Sequence, residues 1–168
     1  MEINFRDNPN SDNYYLISIS YDKPNDWRFG YQPFSSSDPA ILADASEISI
    51  NGDRIFERGR VEDEGVFVGY GAIFSDRLFK NQNYSIRIEK FFAWEYMDLS
   101  CFNVRLTSLS ESCYKYLLSI SQRINAELEQ NPFAETILVY NNIENGAGIF
   151  AGYSTVKMPK SEWINQLR

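Results

Sequence analysis

The sequence predicts a mainly β protein: an antiparallel barrel-like or sandwich domain with one α-helix, over about 110–129, packed against it near the C-terminus. Three observations predict it. Twelve Phe, eleven Tyr and three Trp favour strands. Several segments alternate apolar and polar residues at period two, and they are separated by Gly, Pro, Asn and Asp. Sustained helical spacing occurs once, late in the chain, so alternating βαβ units are not indicated. At 168 residues, a single domain spanning 1–168 accounts for the whole chain. A closed barrel is slightly preferred to a sandwich because closure removes free strand edges.

The elements follow in order. "DNPNSDN" (7–13) has the composition of a turn, and Tyr15, Ile17, Ile19 and Tyr21 then form the apolar face of a half-buried strand. Residues 22–44 read as a loop, with Pro24, Pro33, Pro39 and Gly30. "EISINGDRIFE" (47–57) predicts a hairpin about Asn51-Gly52, and "GVFVGYGAIF" (65–74) a strand broken or bulged at Gly69 and Gly71. Residues 83–97 and 101–109 are expected to pair antiparallel through a turn near 98–100. The helix is capped by Ser108 or Ser110, carries Cys113, Leu117, Ile120, Ile124 and Leu128 on one face, and ends at Asn131-Pro132. "ETILVYNN" (135–142) and "GIFAGYSTVKM" (148–158) read as strands joined by a hairpin turn at Asn145-Gly146. The first carries apolar residues on both faces and is expected to be buried on both, with the helix covering one. The tail "SEWINQL" (161–167) is a final helical turn or a frayed end.

Composition narrows the chemistry. A net charge of −7 repels a phosphate backbone, so no nucleic acid is expected as a partner. The absence of histidine removes the usual general base, the Ser-His and Cys-His nucleophiles and the commonest zinc ligand. Cys101 and Cys113 are too few for a disulfide framework and read as two free or buried thiols, with a single bridge left open. No apolar run approaches the roughly 18 residues of a membrane span. Met1-Glu-Ile-Asn-Phe starts like a strand rather than a signal peptide, which suggests that an upstream part is missing.

Several patterns invite a catalytic or cofactor reading and do not sustain it. Gly146-x-Gly148 resembles a dinucleotide loop, but strand-like residues follow where such a loop needs a helix N-terminus. Tyr153 and Lys157 have the spacing of a dehydrogenase acid/base pair, yet four residues along a strand separate them by roughly 13 Å. The 7–13 segment lacks the EF-hand ligand spacing, and Glu62-Asp63-Glu64 reads as a solvated acidic loop. No cofactor, metal or catalytic residue is therefore assigned. The candidate ligand-binding residues are aromatic: Trp27, Phe29, Tyr31 and Phe34 in the first loop, and Trp94 and Tyr96 in "FFAWEYM" (91–97). Core packing is the competing explanation for each group.

Three segments taken together, "DNPNSDNYYLISI" (7–19), "IFSDRLFKNQNYSIRI" (73–88) and "LSESCYKYLLSISQRINAELEQNPFAETILVYNNIENGAGIFAGYS" (109–154), resemble a known family. It is the C-terminal part of the Bacteroidetes lipoproteins that carry domain of unknown function 4249. The matching residues are Asp12-Asn13-Tyr14-Tyr15, Ser75-Asp76 with Phe79, Tyr114-Lys115-Tyr116-Leu117, and the turn fingerprint Asn142, Asn145, Gly146, Gly148 and Phe150. The resemblance implies an exported, outer-membrane-anchored protein found with TonB-dependent transporters. Its signal peptide, lipid-anchor cysteine and immunoglobulin-like region would lie upstream of residue 1. No catalytic residues carry over. The expectation is a non-enzymatic cell-envelope domain that binds a ligand or a TonB-dependent outer-membrane transporter and meets the membrane only through that lipid anchor. A carboxylate-dependent hydrolase acting on glycan or peptide is the alternative, since paired carboxylates need no histidine. A purely structural spacer is the second alternative.

Overall fold

The computed structural model describes residues 1–23, 30–44, 60–62, 66–69, 71–90, 98–128 and 137–158. Along them run β1 (Glu2–Arg6), β2 (Tyr14–Tyr21), β3 (Gly30–Gln32), β4 (Phe34–Ser36), α1 (Pro39–Ala43), β5 (Arg60–Glu62), β6 (Val66–Gly69) and β7 (Gly71–Ser75). Then come β8 (Asn83–Arg87), β9 (Glu89–Lys90), β10 (Phe102–Leu109), α2 (Glu111–Leu128) and β11 (Tyr153–Lys157). The fold is mainly β and antiparallel, with one main helix, as the alternation predicts.

β2 is the centre of the largest sheet. One edge pairs with β10 from end to end, from Tyr14↔Leu109 to Tyr21↔Phe102. The other edge is shared: β7 takes residues 14–18 and β3 takes 19–21. β11 then adds to the far side of β10. A second sheet has the order β5-β6-β4-β9, and β1 pairs with β8. Three short breaks carry the chain between sheets. β3 passes to β4 across Pro33, which has no N–H to give a ladder. β6 passes to β7 between Gly69 and Gly71, where the sequence predicted a broken strand. β8 passes to β9 across Ile88. Strands that change sheets at bends produce packed layers, and among the described residues the sheets do not close into a barrel.

The core lies on one face of β2. Tyr15, Ile17, Ile19 and Tyr21 meet Ile3, Phe34, Ala40, Ile41, Phe74, Phe79, Ile86, Ile88 and Phe102, all buried. Full burial of each large side chain contributes about 1.5–3 kcal/mol. Phe79 stacks on Tyr84 at 4.1 Å between ring centroids, and Phe5 meets Tyr15 edge-on at 5.1 Å. On the opposite face, Tyr14, Leu16, Ile73 and Leu109 receive Cys113, Tyr114, Leu117 and Leu118 of α2, with Tyr14 and Tyr114 stacked at 4.4 Å. Ser110 caps this helix by accepting the Cys113 N–H at 3.3 Å. Cys101 packs with the core side and Cys113 with the helix side, and both are free thiols.

Two pairings differ from expectation. Residues 83–87 do not pair with 101–109, because both edges of β10 are already occupied, by β2 and β11, while β8 pairs with β1. Residues 137–142 form no ladder with 148–158, whose strand segment pairs with β10 instead. Nor is the earlier segment buried on both faces: Leu138 is 83% exposed. The predicted 47–57 hairpin, the 161–167 tail and Glu62-Asp63-Glu64 as a group lie outside the described residues or extend beyond them.

Candidate functional site

The polar residues of the first two matching segments form a buried lock. Asp7, 2% exposed, accepts hydrogen bonds from the Tyr15 hydroxyl at 2.7 Å, the Asn13 side-chain amide at 3.1 Å and the Asn81 backbone N–H at 2.9 Å. Asp76, 3% exposed, accepts the backbone and side-chain N–H groups of Asn13 at 3.0 and 3.1 Å, and its own N–H returns to Asn13 O at 3.0 Å. The Asn13 amide nitrogen also reaches the carbonyl oxygens of Asn8 at 2.8 Å and Ser11 at 2.9 Å. A buried carboxylate needs such partners. The lock therefore fastens the 7–13 turn to the 76–82 segment, where Asn81 takes a positive φ of 65°. Burial, and then the Asp7 carboxylate beside it, raise the Tyr15 pKa far above the ordinary tyrosine value. Among the described residues no group of three or more carboxylates and cysteines is placed to hold a metal ion.

The third matching segment does the opposite with similar residue types. Asn142 works as a two-ended clamp: its Oδ1 accepts the Phe150 N–H at 2.8 Å, while its Nδ2 donates to Phe150 O at 2.9 Å and to Ser112 Oγ at 3.2 Å. Asn141 Nδ2 donates to Gly146 O at 2.7 Å and its Oδ1 accepts the Ile143 N–H at 2.9 Å. The reversal needs left-handed backbone at Asn145 (φ 57°) and Gly148 (φ 126°). A Cβ on Gly146 would stand 3.0 Å from Ile143 Cγ2. Two further contacts tie the loop to the helix and its cap: the Tyr140 N–H donates to Ser119 Oγ at 2.8 Å, and the Gly152 N–H to Ser110 Oγ at 3.1 Å. These glycines and asparagines shape a turn, as the sequence indicates, without the strand ladder expected on both sides.

This clamped loop and the adjoining strand present apolar side chains to solvent. Leu138 is 83% exposed, Ile143 42%, Phe150 87%, Tyr153 75% and Val156 66%. Val156 sits opposite Leu106, which sits opposite the fully buried Ile17, so an apolar row begins in the core and runs out to the sheet edge. By the same register Tyr153, opposite Leu109 and Tyr14, lies on the helix face, so these side chains do not all share one face. Isolated exposed apolar residues are ordinary, whereas five within residues 138–156 mark this stretch as a candidate interaction surface.

The aromatic candidates divide. Phe34 is fully buried and belongs to the core, so it packs and presents no face to a ligand. Tyr31 is half-buried, and the Arg105 guanidinium stands 6.0 Å from its ring centroid. Arg105 also donates to Asp22 at 3.2 Å, and Asn103 donates to the same oxygen at 2.7 Å. Trp27, Phe29, Trp94 and Tyr96 lie outside the described residues. A separate open depression of about 400 Å³ between β1 and β8 is lined by Asn4, Phe5, Asn83, Tyr84 and Ser85. Of these exposed residues the sequence marks Phe150, as a fingerprint residue, and Tyr153, in the discounted pair with Lys157, and marks neither as a binding residue. The apolar run at 137–140 predicts an interior position, although its lack of a polar face fits an uncovered segment as well.

The arrangement defines a layered antiparallel β domain whose polar motifs shape turns and whose exposed apolar residues concentrate between residues 138 and 156. The family model described as domain of unknown function (DUF4249) matches residues 1–158, and the chain belongs to that family. No curated protein and no solved structure matches it.

Proposed function

We propose that this chain is a non-enzymatic domain of a lipid-anchored cell-envelope protein, and that it binds a partner, a TonB-dependent outer-membrane transporter. The observation that carries the partner-binding reading is the exposure of the apolar Leu138 and Phe150, the latter fixed through its backbone by the Asn142 side chain. Association with a transporter and the envelope location rest on the resemblance to Bacteroidetes lipoproteins. No described helix is long and apolar enough to cross a membrane, and attachment through a lipid anchor likewise rests on that resemblance. The hydrolase alternative gains no support from Asp7 and Asp76, which are buried and engaged by Asn13 and Tyr15.

The test places a photo-crosslinking residue at position 150 of the full-length lipidated protein in envelope membranes. Recovery of a TonB-dependent transporter, lost when the probe moves to exposed Ser100 beyond the opposite end of β10, is the expected result. Crosslinks that contain no transporter would sink the transporter reading.

A further inference from the structure

β11 ends the largest sheet, and its pairing register fixes what its outer edge offers. Ser110 N–H donates to Gly152 O at 2.9 Å, and Met158 N–H to Val104 O at 3.0 Å. With Leu109 opposite Tyr153 and Arg105 opposite Lys157, antiparallel alternation directs the N–H and C=O groups of residues 152, 154, 156 and 158 toward β10. Those of Tyr153, Thr155 and Lys157 then point away from it. The Thr107 and Thr155 hydroxyls, 2.9 Å apart, agree, since side chains approach most closely at pairs that exchange no backbone bonds. Among the described residues no strand occupies this outer edge. All five residues of β11 are exposed.

We infer that two copies of this chain join β11 to β11, antiparallel, about a two-fold axis at Thr155, to form one continuous sheet. The edge is complementary to itself. Tyr153, Thr155 and Lys157 are spaced symmetrically, so one register pairs Thr155 with Thr155 of the second copy and Tyr153 with Lys157. That register engages every outward backbone group of both strands. It also sets the strand's single charge, Lys157, against an aromatic ring, whereas the register placing Lys157 opposite itself is opposed by like-charge repulsion. On the other face, Val156 comes opposite Ser154 of the second copy and gains cover for a side chain 66% exposed in the single chain. A contact of this kind uses the same patch on both subunits and closes.

Sedimentation equilibrium of the chain from micromolar to millimolar concentration tests the pairing. The mass is expected to double with concentration. Thr155→Pro removes an N–H that faces outward, so it spares the β10 ladder and is expected to stay monomeric with unchanged circular dichroism. In a Cys101→Ala, Cys113→Ala background, Thr155→Cys is expected to oxidise to a covalent dimer, because a directly opposed pair lies about 5.5 Å apart at Cα, within disulfide reach. Ser154→Cys, out of register with its own copy, should not. A monomer throughout overturns the inference. So does a dimer that survives Thr155→Pro, or equal crosslinking at both positions. None of these readouts involves a transporter, so the two proposals fail separately.

Discussion

The 7–13 turn and the 141–150 loop are both built around asparagine, with Asp, Ser and Pro beside it in the first and Gly and Glu in the second, and the protein uses them in contrary ways. In the first, side-chain polar groups turn inward: two carboxylates at 3% exposure or less clamp two distant chain segments and cap the ring of Tyr15. In the second, the side-chain amides of Asn141 and Asn142 satisfy the loop's own backbone, and Ile143 and Phe150 are left in solvent. A hydrogen-bonded asparagine or aspartate motif therefore reports a fixed backbone in both places. What that rigidity serves is decided by which way the apolar neighbours face.

The sharpest way to break the contrast is to remove the buried acceptor. Asp7→Ala deprives the Tyr15 hydroxyl, the Asn13 amide and the Asn81 N–H of a charged partner at once. Hydrogen bonds to charged groups contribute about 1.5–3 kcal/mol and a stranded buried donor costs about 1–3 kcal/mol, so a loss of roughly 3–5 kcal/mol in urea unfolding is expected. A loss below about 1 kcal/mol would mean that the lock does not hold the fold together.

Alkaline titration probes both faces of the largest sheet, through Tyr84 on the core side and Tyr114 on the helix side. Burial, followed by the Asp38 hydrogen bond, pushes the Tyr84 hydroxyl up to about 12. Burial, followed by the charge of Asp44, does the same for Tyr114, also to about 12. The native state thus keeps these protons when the unfolded chain, with tyrosines near 10, has released them. Below pH about 10 both states are protonated and the full stability is present; it falls as pH rises from about 10 through about 12. The unfolding midpoint should therefore drop across that window, and Tyr84→Phe should flatten part of the decline. A midpoint unchanged across the window would contradict the buried, hydrogen-bonded placement of these hydroxyls.

What the sequence made legible follows from the range of the interactions. β2, the capped helix and the broken strand at Gly69 and Gly71 rest on period, capping and backbone freedom, all local properties, and the residues announce them. Strand partnership is not local. Residues 101–109 were paired with their neighbour in sequence, whereas Phe102 meets Tyr21 and Leu106 meets Val156, because β2 and β11 take both edges. The failure at 135–142 has a related origin: an apolar run indicates low polarity, not cover, and nothing in Ile137-Leu138-Val139 says whether a second layer reaches it. The fingerprint turn was legible as geometry, through Asn145 and Gly148, but the exposure of Phe150 depends on where β11 finds its partner.

On the exposed side the loop itself can be strained. Gly148 has φ 126°, open to glycine and costly for any residue with a Cβ. Gly148→Ala should destabilise by roughly 1–3 kcal/mol. The damage should concentrate in the 140–152 amides by hydrogen exchange, with those of β2 and β10 protected as before. Equal acceleration in β2 would show that the loop is part of the main folding unit rather than an appended clamp.

The smallest thermodynamic effect is the most informative about role. Leu138→Ser removes a large apolar side chain that is 83% exposed, and Phe150→Ser one that is 87% exposed. Neither removes core volume, so each should change stability by no more than about 0.5 kcal/mol. Ile17→Ala, at 0% exposure in the central strand β2, should cost about 2–5 kcal/mol. If Leu138→Ser or Phe150→Ser instead proves as damaging as Ile17→Ala, that side chain is covered in the folded chain and is core. If both are neutral and both abolish transporter crosslinking, the apolar residues are kept outward for a partner, and the Asn142 clamp exists to present Phe150.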